Sequence, residues 1–213
     1  MIKCILFDSD GTLVDSEYLG HVTMENMLGE QGIVESAAEM MRNFRGAQLA
    51  KIVESLEQKH QISLGESFIF SFRLALEKLF EQKLKPVEGV SEVLENIPQT
   101  ICVASGGPIR KIKKALSLTN LEGYFKGNIF SSYEIGSWKP EPDIFLHAAQ
   151  QMGFAPEECA VVEDSAVGIQ AALAANIQPV MYDPLNIYGT FEGVIAIKHM
   201  KELNLIFGQG ENE

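Results

Sequence analysis

The stretch Phe7-Asp8-Ser9-Asp10-Gly11-Thr12-Leu13-Val14-Asp15 decides how the rest of this sequence is interpreted. It follows an apolar run, Ile2 to Phe7, that is short enough for one buried strand. Residues i and i+2 of an extended chain point the same way, so Asp8 and Asp10 can face a common point. Gly11 allows the chain to turn sharply away from them. An acidic pair beyond a strand end favours a hard cation such as Mg2+, although a plain polar turn has the same pattern.

Composition and charge exclude several classes of protein. The chain has 213 residues, 46% of them hydrophobic, and a formal net charge of −12 at pH 7. This acidic balance argues against a nucleic-acid partner, which requires a basic face. No apolar run approaches the length of about 18 residues that predicts a membrane span. Three cysteines without a C-x-x-C pattern and an N-terminal apolar run too short for a signal peptide predict a cytoplasmic protein with buried free thiols.

The chain after Asp15 divides into a helical segment and an alternating segment. Apolar spacing predicts helices and no clear strand from Ser16 to about Lys83, and Pro86 marks the end of this segment. The later part alternates, with strands expected at 100–104, 128–131, 159–162, 179–181 and 194–197 and helices at 90–97, 109–118, 142–152 and 167–175. Strand–helix alternation predicts an α/β fold with a doubly wound parallel sheet. We expect a core domain of residues 1–15 and 85–213 and an inserted all-helical domain of residues 16–84.

Polar side chains follow three of the expected strands, and a lysine lies in a proline-rich segment between the last two. In chain order they are Asp8 and Asp10, Ser105 and Gly106, Lys139, and Glu163, Asp164 and Ser165. If these strand ends share one edge of the sheet, carboxylates, a hydroxyl and an ammonium surround a single crevice. Such groups suit phosphoryl transfer, which uses a nucleophile, a metal and cations. Ser165 fits a helix cap and a site residue equally well.

This ordered set resembles the four motifs of the haloacid dehalogenase-like hydrolase superfamily, over nearly the whole chain. The stretch 8–12 is similar to its first motif, Ser105 to its second, Lys139 to its third and Glu163-Asp164 to its fourth. The superfamily places a helical cap where residues 16–84 lie. Within it, the sequence looks most like the helical-capped branch of beta-phosphoglucomutase and sugar-phosphate phosphatases. Residues 102–113 and 130–142 resemble bacterial 6-phosphogluconate phosphatase.

The resemblance implies catalytic and metal-binding roles. Asp8 would attack phosphorus and form an aspartyl-phosphate, and Asp10 would protonate the leaving oxygen and then activate water. Mg2+ would be held by Asp8, by the backbone carbonyl of Asp10 and by Asp164, with Glu163 in support. These roles make physical sense, because carboxylates and a phosphate dianion repel one another unless cations screen them.

The resemblance also implies substrate-binding residues. Ser105, Gly106 and Lys139 would bind the phosphoryl group. In the helical segment, Arg45 and Gly46 resemble residues that meet the substrate in related sugar-phosphate enzymes, and an arginine suits an anionic group. A plain loop arginine is the alternative. The basic cluster at 110–114 reads as a solvated helix face of which one member could reach the site, and the histidines read as surface or packing residues.

The function implied by the resemblance is that of a phosphoric monoester hydrolase. The superfamily's dehalogenases lack an acid at the position of Asp10, so this residue favours an oxygen-linked phosphate. We expect a magnesium-dependent phosphatase of a small phosphorylated metabolite, a sugar phosphate or a sugar-acid phosphate such as 6-phosphogluconate. A phosphosugar mutase and a phospho-accepting signalling switch without turnover remain open, and a monomer is the default oligomeric state.

Overall fold

The structure, a computed structural model, describes residues 1–45 and 47–208. The chain separates into two units. The first consists of Met1–Val14 and Lys85–Glu213, and the second of Asp15–Leu84. Two distant segments therefore build the first unit, whereas one continuous segment builds the second.

A parallel sheet forms the centre of the first unit, and within the described residues it has six strands. They are β1 (Cys4–Phe7), β2 (Thr100–Ser105), β3 (Ile129–Ser131), β4 (Cys159–Glu163), β5 (Gln178–Tyr182) and β6 (Ile195–Ile197). Their order is β3-β2-β1-β4-β5-β6, and all neighbours are parallel. The chain thus reverses its direction of travel across the sheet between β1 and β4, which is where open α/β sheets bind ligands. The predicted α/β class with a doubly wound parallel sheet is confirmed.

Helices connect the strands and form the second unit. In the second unit they are α1 (Glu17–Gly29), α2 (Ala37–Phe44), α3 (Leu49–His60) and α4 (Gly65–Lys83). In the first unit they are α5 (Val90–Asn96), α6 (Ile109–Leu118), α7 (Glu122–Phe125), α8 (Ser132–Ile135), α9 (Asp143–Met152), α10 (Ala166–Ala174) and α11 (Glu202–Phe207). The sequence did not predict α7, α8 and α11, because helices of four to six residues are too short to show a period.

The central strands are buried on both faces. Every residue of β1 and β4 is buried, as expected for parallel strands covered by helices on both sides. The three cysteines are free and buried on neighbouring strands, and Cys4 lies opposite Cys159. The thiol of Cys102, followed by burial, raises the pKa of Cys4 to about 12. These cysteines therefore act as small apolar core residues.

The second unit has its own apolar core. Helix α3 buries Ile52, Val53 and Leu56, and α4 buries Phe68 and Phe72. The intervals of three and four residues put these side chains on one face of each helix. They pack with Met24, Leu28, Met40 and Leu64. No strand occurs in the described part of residues 16–83, in agreement with the sequence pattern.

A buried histidine makes the stability of the protein depend on pH. Burial lowers the pKa of His21, on α1, from 6.5 to about 4. Between these values the unfolded chain binds a proton that the folded chain does not, so stability falls as the pH falls. We expect wild type to lose about 1–2 kcal/mol more than His21→Leu between pH 7.5 and pH 5, in urea unfolding. His199→Gln, at an exposed position, should keep the wild-type dependence. An unchanged pH dependence in His21→Leu would contradict this assignment.

Candidate active site

The carboxyl ends of β1, β2 and β4 bring the predicted site residues together. Strand β1 pairs with β2 on one side and β4 on the other, with Phe7 opposite Val103 and Val162. The amide of Asp8 continues the ladder by donating to the carbonyl of Val162 at 3.0 Å. Asp8 therefore starts the loop at the centre of the sheet edge, between the end of β2 at Ser105 and the end of β4 at Glu163.

A buried lysine joins the ends of β1 and β4. The ammonium of Lys139 donates to Asp8 Oδ1 and to Glu163 Oε1, both at 2.6 Å. It also lies 4.9 Å from the centre of the Phe145 ring. The lysine side chain is 8% exposed, so both ion pairs are shielded from water. Lys139 is thus a fixed cation that holds two carboxylates from neighbouring strands.

The charges at this edge shift the ionisation of both partners. Burial disfavours the ammonium of Lys139, but the charges of Asp8 and Glu163 outweigh it and raise the pKa of Lys139. Burial raises the pKa of Asp8 well above the usual carboxyl range, Lys139 opposes that rise, and Glu163 and Asp164 add to it. The site therefore carries more negative charge than its buried lysine balances.

Glu163 is held by the first turn of α10. Its Oε2 accepts from the amide and from the hydroxyl of Ser165, both at 2.8 Å. The hydroxyl of Ser165 in turn accepts from the amide of Gly168 at 3.1 Å. Ser165 therefore caps the helix and also supports Glu163, so the two interpretations of this residue are compatible. With Oε1 on Lys139 and Oε2 on Ser165, both oxygens of Glu163 have protein donors.

Because α10 lies close to Glu163, any side chain at position 168 should lower the free energy of unfolding. A Cβ added there would lie 2.0 Å from the Glu163 carboxyl group. We expect Gly168→Ala to lower the free energy of unfolding by about 1–3 kcal/mol, although helix propensity alone favours alanine. Urea unfolding tests this, with Gly20→Ala as the matched control, because nothing lies within 4 Å of a Cβ at that helical position. Equal stability of both variants would contradict the expected clash.

The turn after β1 packs against Asp164. Gly11 has a φ of +78°, and a Cβ on it would lie 2.1 Å from Asp164 Oδ2. Only glycine allows both this conformation and this approach. The hydroxyl of Thr12 lies 3.4 Å from Asp164 Oδ1 and donates to it. The loop that carries Asp8 and Asp10 is therefore held against the loop that carries Asp164.

Asp10 has a cationic neighbour from α6. The ammonium of Lys111 donates to Asp10 Oδ2 at 2.7 Å. This pair is more open than that of Lys139, since the Lys111 side chain is 39% exposed and that of Asp10 is 25% exposed. Lys111 is the third residue of α6, so it lies in the first turn, next to the end of β2. The site thus has a second lysine, whose side chain is more exposed to solvent than that of Lys139.

The loop after β2 is supported by the neighbouring strand. Ser105 is buried, and its hydroxyl accepts from the amide of Gly107 at 3.3 Å. The hydroxyl of Ser131, at the end of β3, donates to the carbonyl of Gly107 at 2.6 Å. A Cβ on Gly107 would lie 3.7 Å from both Asp10 Oδ2 and Ser105 Oγ. Gly107 therefore lies beside the side-chain oxygens of Asp10 and Ser105 and adds no side chain of its own there.

The structure brings together the predicted site residues of the first unit. Arg45 lies in the second unit, where its buried Nε is 3.6 Å from Glu17 Oε2. Gly46 lies outside the described residues. Their predicted roles in substrate binding stay predictions. Sequence reasoning missed Ser131 and did not single out Lys111 from its basic cluster. The signal for Lys111 is its place in the first turn of a helix that follows a site strand.

Two features are absent from the described residues. In 1–45 and 47–208, no group of three or more His, Cys, Asp and Glu side chains has an arrangement that could hold a metal ion by itself. Within the same residues, none of the helices combines the length and the apolar character needed to cross a membrane.

Comparisons with known proteins give consistent matches over most of the chain. The sequence model of haloacid dehalogenase-like hydrolases matches residues 2–176. The 6-phosphogluconate phosphatase of Escherichia coli K12 is 32% identical over 205 residues, which cover 95% of this chain and 93% of that protein. A phosphorylated carbohydrates phosphatase of Thermotoga maritima is 28% identical over 184 residues, with 83% of each chain covered. The crystal structure of a conserved haloacid dehalogenase-like protein of unknown function from Agrobacterium tumefaciens matches with a TM-score of 0.86, 29% identity and 97% coverage of both chains.

Proposed function

The chain belongs to the haloacid dehalogenase-like hydrolase family, and from that premise we propose that it is a magnesium-dependent phosphatase of small phosphorylated metabolites. One observation carries the proposal: the buried carboxylate of Asp8, at the end of the central strand, is fixed by Lys139 at 2.6 Å. Relatives named as phosphatases of 6-phosphogluconate and of phosphorylated carbohydrates support a sugar phosphate or a sugar-acid phosphate as substrate. The three buried free cysteines support a cytoplasmic location.

Asp8 is the nucleophile in this proposal. Lys139 binds Oδ1, so we assign the attack on phosphorus to Oδ2. A bond forms between Oδ2 and phosphorus while the bond between phosphorus and the alcohol oxygen breaks, which leaves an aspartyl-phosphate. Water then attacks phosphorus, the acyl phosphate bond breaks, and Asp8 and inorganic phosphate are released. Lys139 keeps the carboxylate oriented through both steps.

Asp10 is the proton donor and acceptor. It gives a proton to the alcohol oxygen as that oxygen leaves, and it takes one from the attacking water in the second step. Its carboxylate is more exposed than that of Asp8, since the two side chains are 25% and 9% exposed. This difference suits one group that must exchange protons and another that must stay anchored.

The phosphoryl group is bound by the loop after β2 and by Lys139. We assign a donated hydrogen bond from the Ser105 hydroxyl and room for close approach at Gly106, where a Cβ would meet nothing within 4 Å. Ser131 holds this loop in place through the carbonyl of Gly107. These groups fix the phosphoryl group in line with Asp8 and with the leaving oxygen.

Magnesium fits the donor groups at this edge. Asp8 and Asp164 would hold it through carboxylate oxygens and Asp10 through its backbone carbonyl, while Glu163, bound to Lys139 and Ser165, would support them. Magnesium is usually held by one or two carboxylates, waters and the substrate phosphate, so a large cluster of acidic ligands is unnecessary. When bound, the ion supplies positive charge that offsets the repulsion between the carboxylates and a phosphate dianion.

The test is phosphate release from a panel of phosphorylated sugars, sugar acids, polyols and nucleotides. We expect multiple turnovers on sugar or sugar-acid phosphates with magnesium, and loss of activity with EDTA that added magnesium restores. Conversion of a sugar phosphate to its isomer without free phosphate would contradict the proposal in favour of a mutase. Labelling of the protein by a phosphate donor without turnover would contradict it in favour of a signalling switch.

A further inference from the structure

Lys111 contacts Asp10, the residue proposed to protonate the oxygen of the leaving alcohol. We propose that Lys111 selects phosphate esters whose alcohol carries a second negative charge. This inference rests on the proposed function and narrows its substrate class to sugar-acid phosphates and other doubly anionic esters. It assigns a specificity role to a residue that lies outside the four motifs.

The position of Lys111 follows from its contact with Asp10. In the proposed reaction, Asp10 hydrogen-bonds to the oxygen that links phosphorus to the alcohol. The Lys111 ammonium is 2.7 Å from Asp10 Oδ2, so it lies within two hydrogen bonds of that oxygen. A carboxylate on a flexible open-chain alcohol can therefore reach this cation when the chain folds back toward Asp10.

The two lysines of the site differ in their exposure and in the number of carboxylates that they contact. Lys139 is 8% exposed and holds Asp8 and Glu163 at 2.6 Å each. Lys111 is 39% exposed and holds one carboxylate, that of Asp10. An ammonium has three donors, so Lys111 can keep Asp10 and still donate to a substrate anion. Its flexible four-carbon stem suits alcohols of more than one length.

The surface beside Lys111 leaves room for the alcohol. Gly107 presents no side chain toward Asp10, and a Cβ there would already lie 3.7 Å from Asp10 Oδ2. Gly106 is more open still, since a Cβ on it would meet no heavy atom within 4 Å. The Asp10, Ser105 and Ile112 side chains, each 3.7 Å from a Cβ on Gly107, therefore border that glycine.

The acidic surroundings make a cation necessary if the alcohol is an anion. The chain has a net charge of −12, and the site contains the carboxylates of Asp8, Asp10, Glu163 and Asp164. A carboxylate on the substrate would be repelled here unless an opposite charge met it. Lys111 is the partly exposed cation in position to do so, whereas a neutral polyol would gain little from it.

The experiment compares two open-chain esters of equal length, 6-phosphogluconate and sorbitol 6-phosphate, which differ in a carboxylate at the far end. We expect Lys111→Met to lower kcat/KM about 10- to 100-fold more for 6-phosphogluconate than for sorbitol 6-phosphate, and the loss shared by both esters measures the contact of Lys111 with Asp10. Lys111→Arg should recover most of the loss, because it restores the charge. Lys113→Met, which removes an exposed cation from the same helix, should match wild type.

A binding measurement gives the same comparison without turnover. Both esters are titrated calorimetrically into Asp8→Asn and into the double variant Asp8→Asn, Lys111→Met. The second substitution should weaken the binding of 6-phosphogluconate and leave the binding of sorbitol 6-phosphate unchanged. Equal losses on the two esters, or no loss on either, in variants of an active enzyme would overturn the specificity role and leave the phosphatase intact. Absence of phosphate release from every ester by wild type would overturn the proposed function and this inference together.

Discussion

Asp8→Asn is expected to reduce phosphate release by at least about 10⁴-fold, because it removes the nucleophile. Asparagine has almost the same shape, and its Oδ1 can still accept from Lys139, so the fold of the site should persist. The amide nitrogen that replaces Oδ2 cannot form the bond to phosphorus. The loss should therefore appear in kcat, with substrate binding retained.

Activity and intermediate formation together test this expectation. Rapid quenching of wild type during turnover, followed by mass spectrometry, should detect one phosphoryl group on the peptide that contains Asp8. Asp15→Asn is the matched control, since it makes the same change at an exposed position in the same stretch and should retain full activity. Activity above about 1% of wild type in Asp8→Asn would assign the nucleophile to another group.

Lys139→Met is expected to lower the free energy of unfolding by about 3–5 kcal/mol and to abolish phosphate release. Methionine keeps a buried apolar side chain of nearly the same length, but it removes the ammonium from Asp8, Glu163 and the Phe145 ring. Two buried carboxylates then face each other uncompensated. The control is Lys201→Met, which removes an exposed ion pair with Glu92 and should cost less than about 1 kcal/mol.

The pH dependence of Lys139→Met gives a sharper test than its stability at one pH. Without the lysine, repulsion raises the pKa values of the buried carboxyl groups in the folded variant above those in its unfolded chain. The folded variant then binds more protons, so the stability gap to wild type should shrink as the pH falls from 8 to 5. Adding Glu163→Gln should recover part of the loss at neutral pH. A gap independent of pH would contradict the electrostatic explanation.

The sequence predicted the parts of the site that depend on strand ends. Asp8, Ser105 and Glu163 each end or directly follow an apolar strand, and parallel strands place such residues along one edge. Lys139 was predicted as a site residue from a family resemblance, since no periodicity fixes a lysine in the segment before Pro140 and Pro142. Its simultaneous contact with Asp8 and Glu163 depends on how the segment before α9 crosses the sheet edge, which local pattern does not encode.

The contacts that the sequence could not predict depend on tertiary placement and on short elements. The predicted bounds of α6, 109–118, match the structure, but which of its cations reaches Asp10 depends on how the helix lies against the loop after β1. Ser131 ends a strand of only three residues, so its place beside Gly107 was not evident. The fold class, in contrast, follows from alternation over more than 100 residues, where many weak signals agree.

The central position of β1 has a consequence for the order in which the protein forms during synthesis. Strand β1 is complete at Phe7, but its two neighbours in the sheet begin at Thr100 and Cys159. At about 5–20 residues per second, the ribosome needs roughly 5–20 s to supply the first neighbour and longer to supply the second. The whole of the continuous unit Asp15–Leu84 is translated during that interval. The strand that leads to the proposed nucleophile therefore waits for both of its partner strands and gains the second one late.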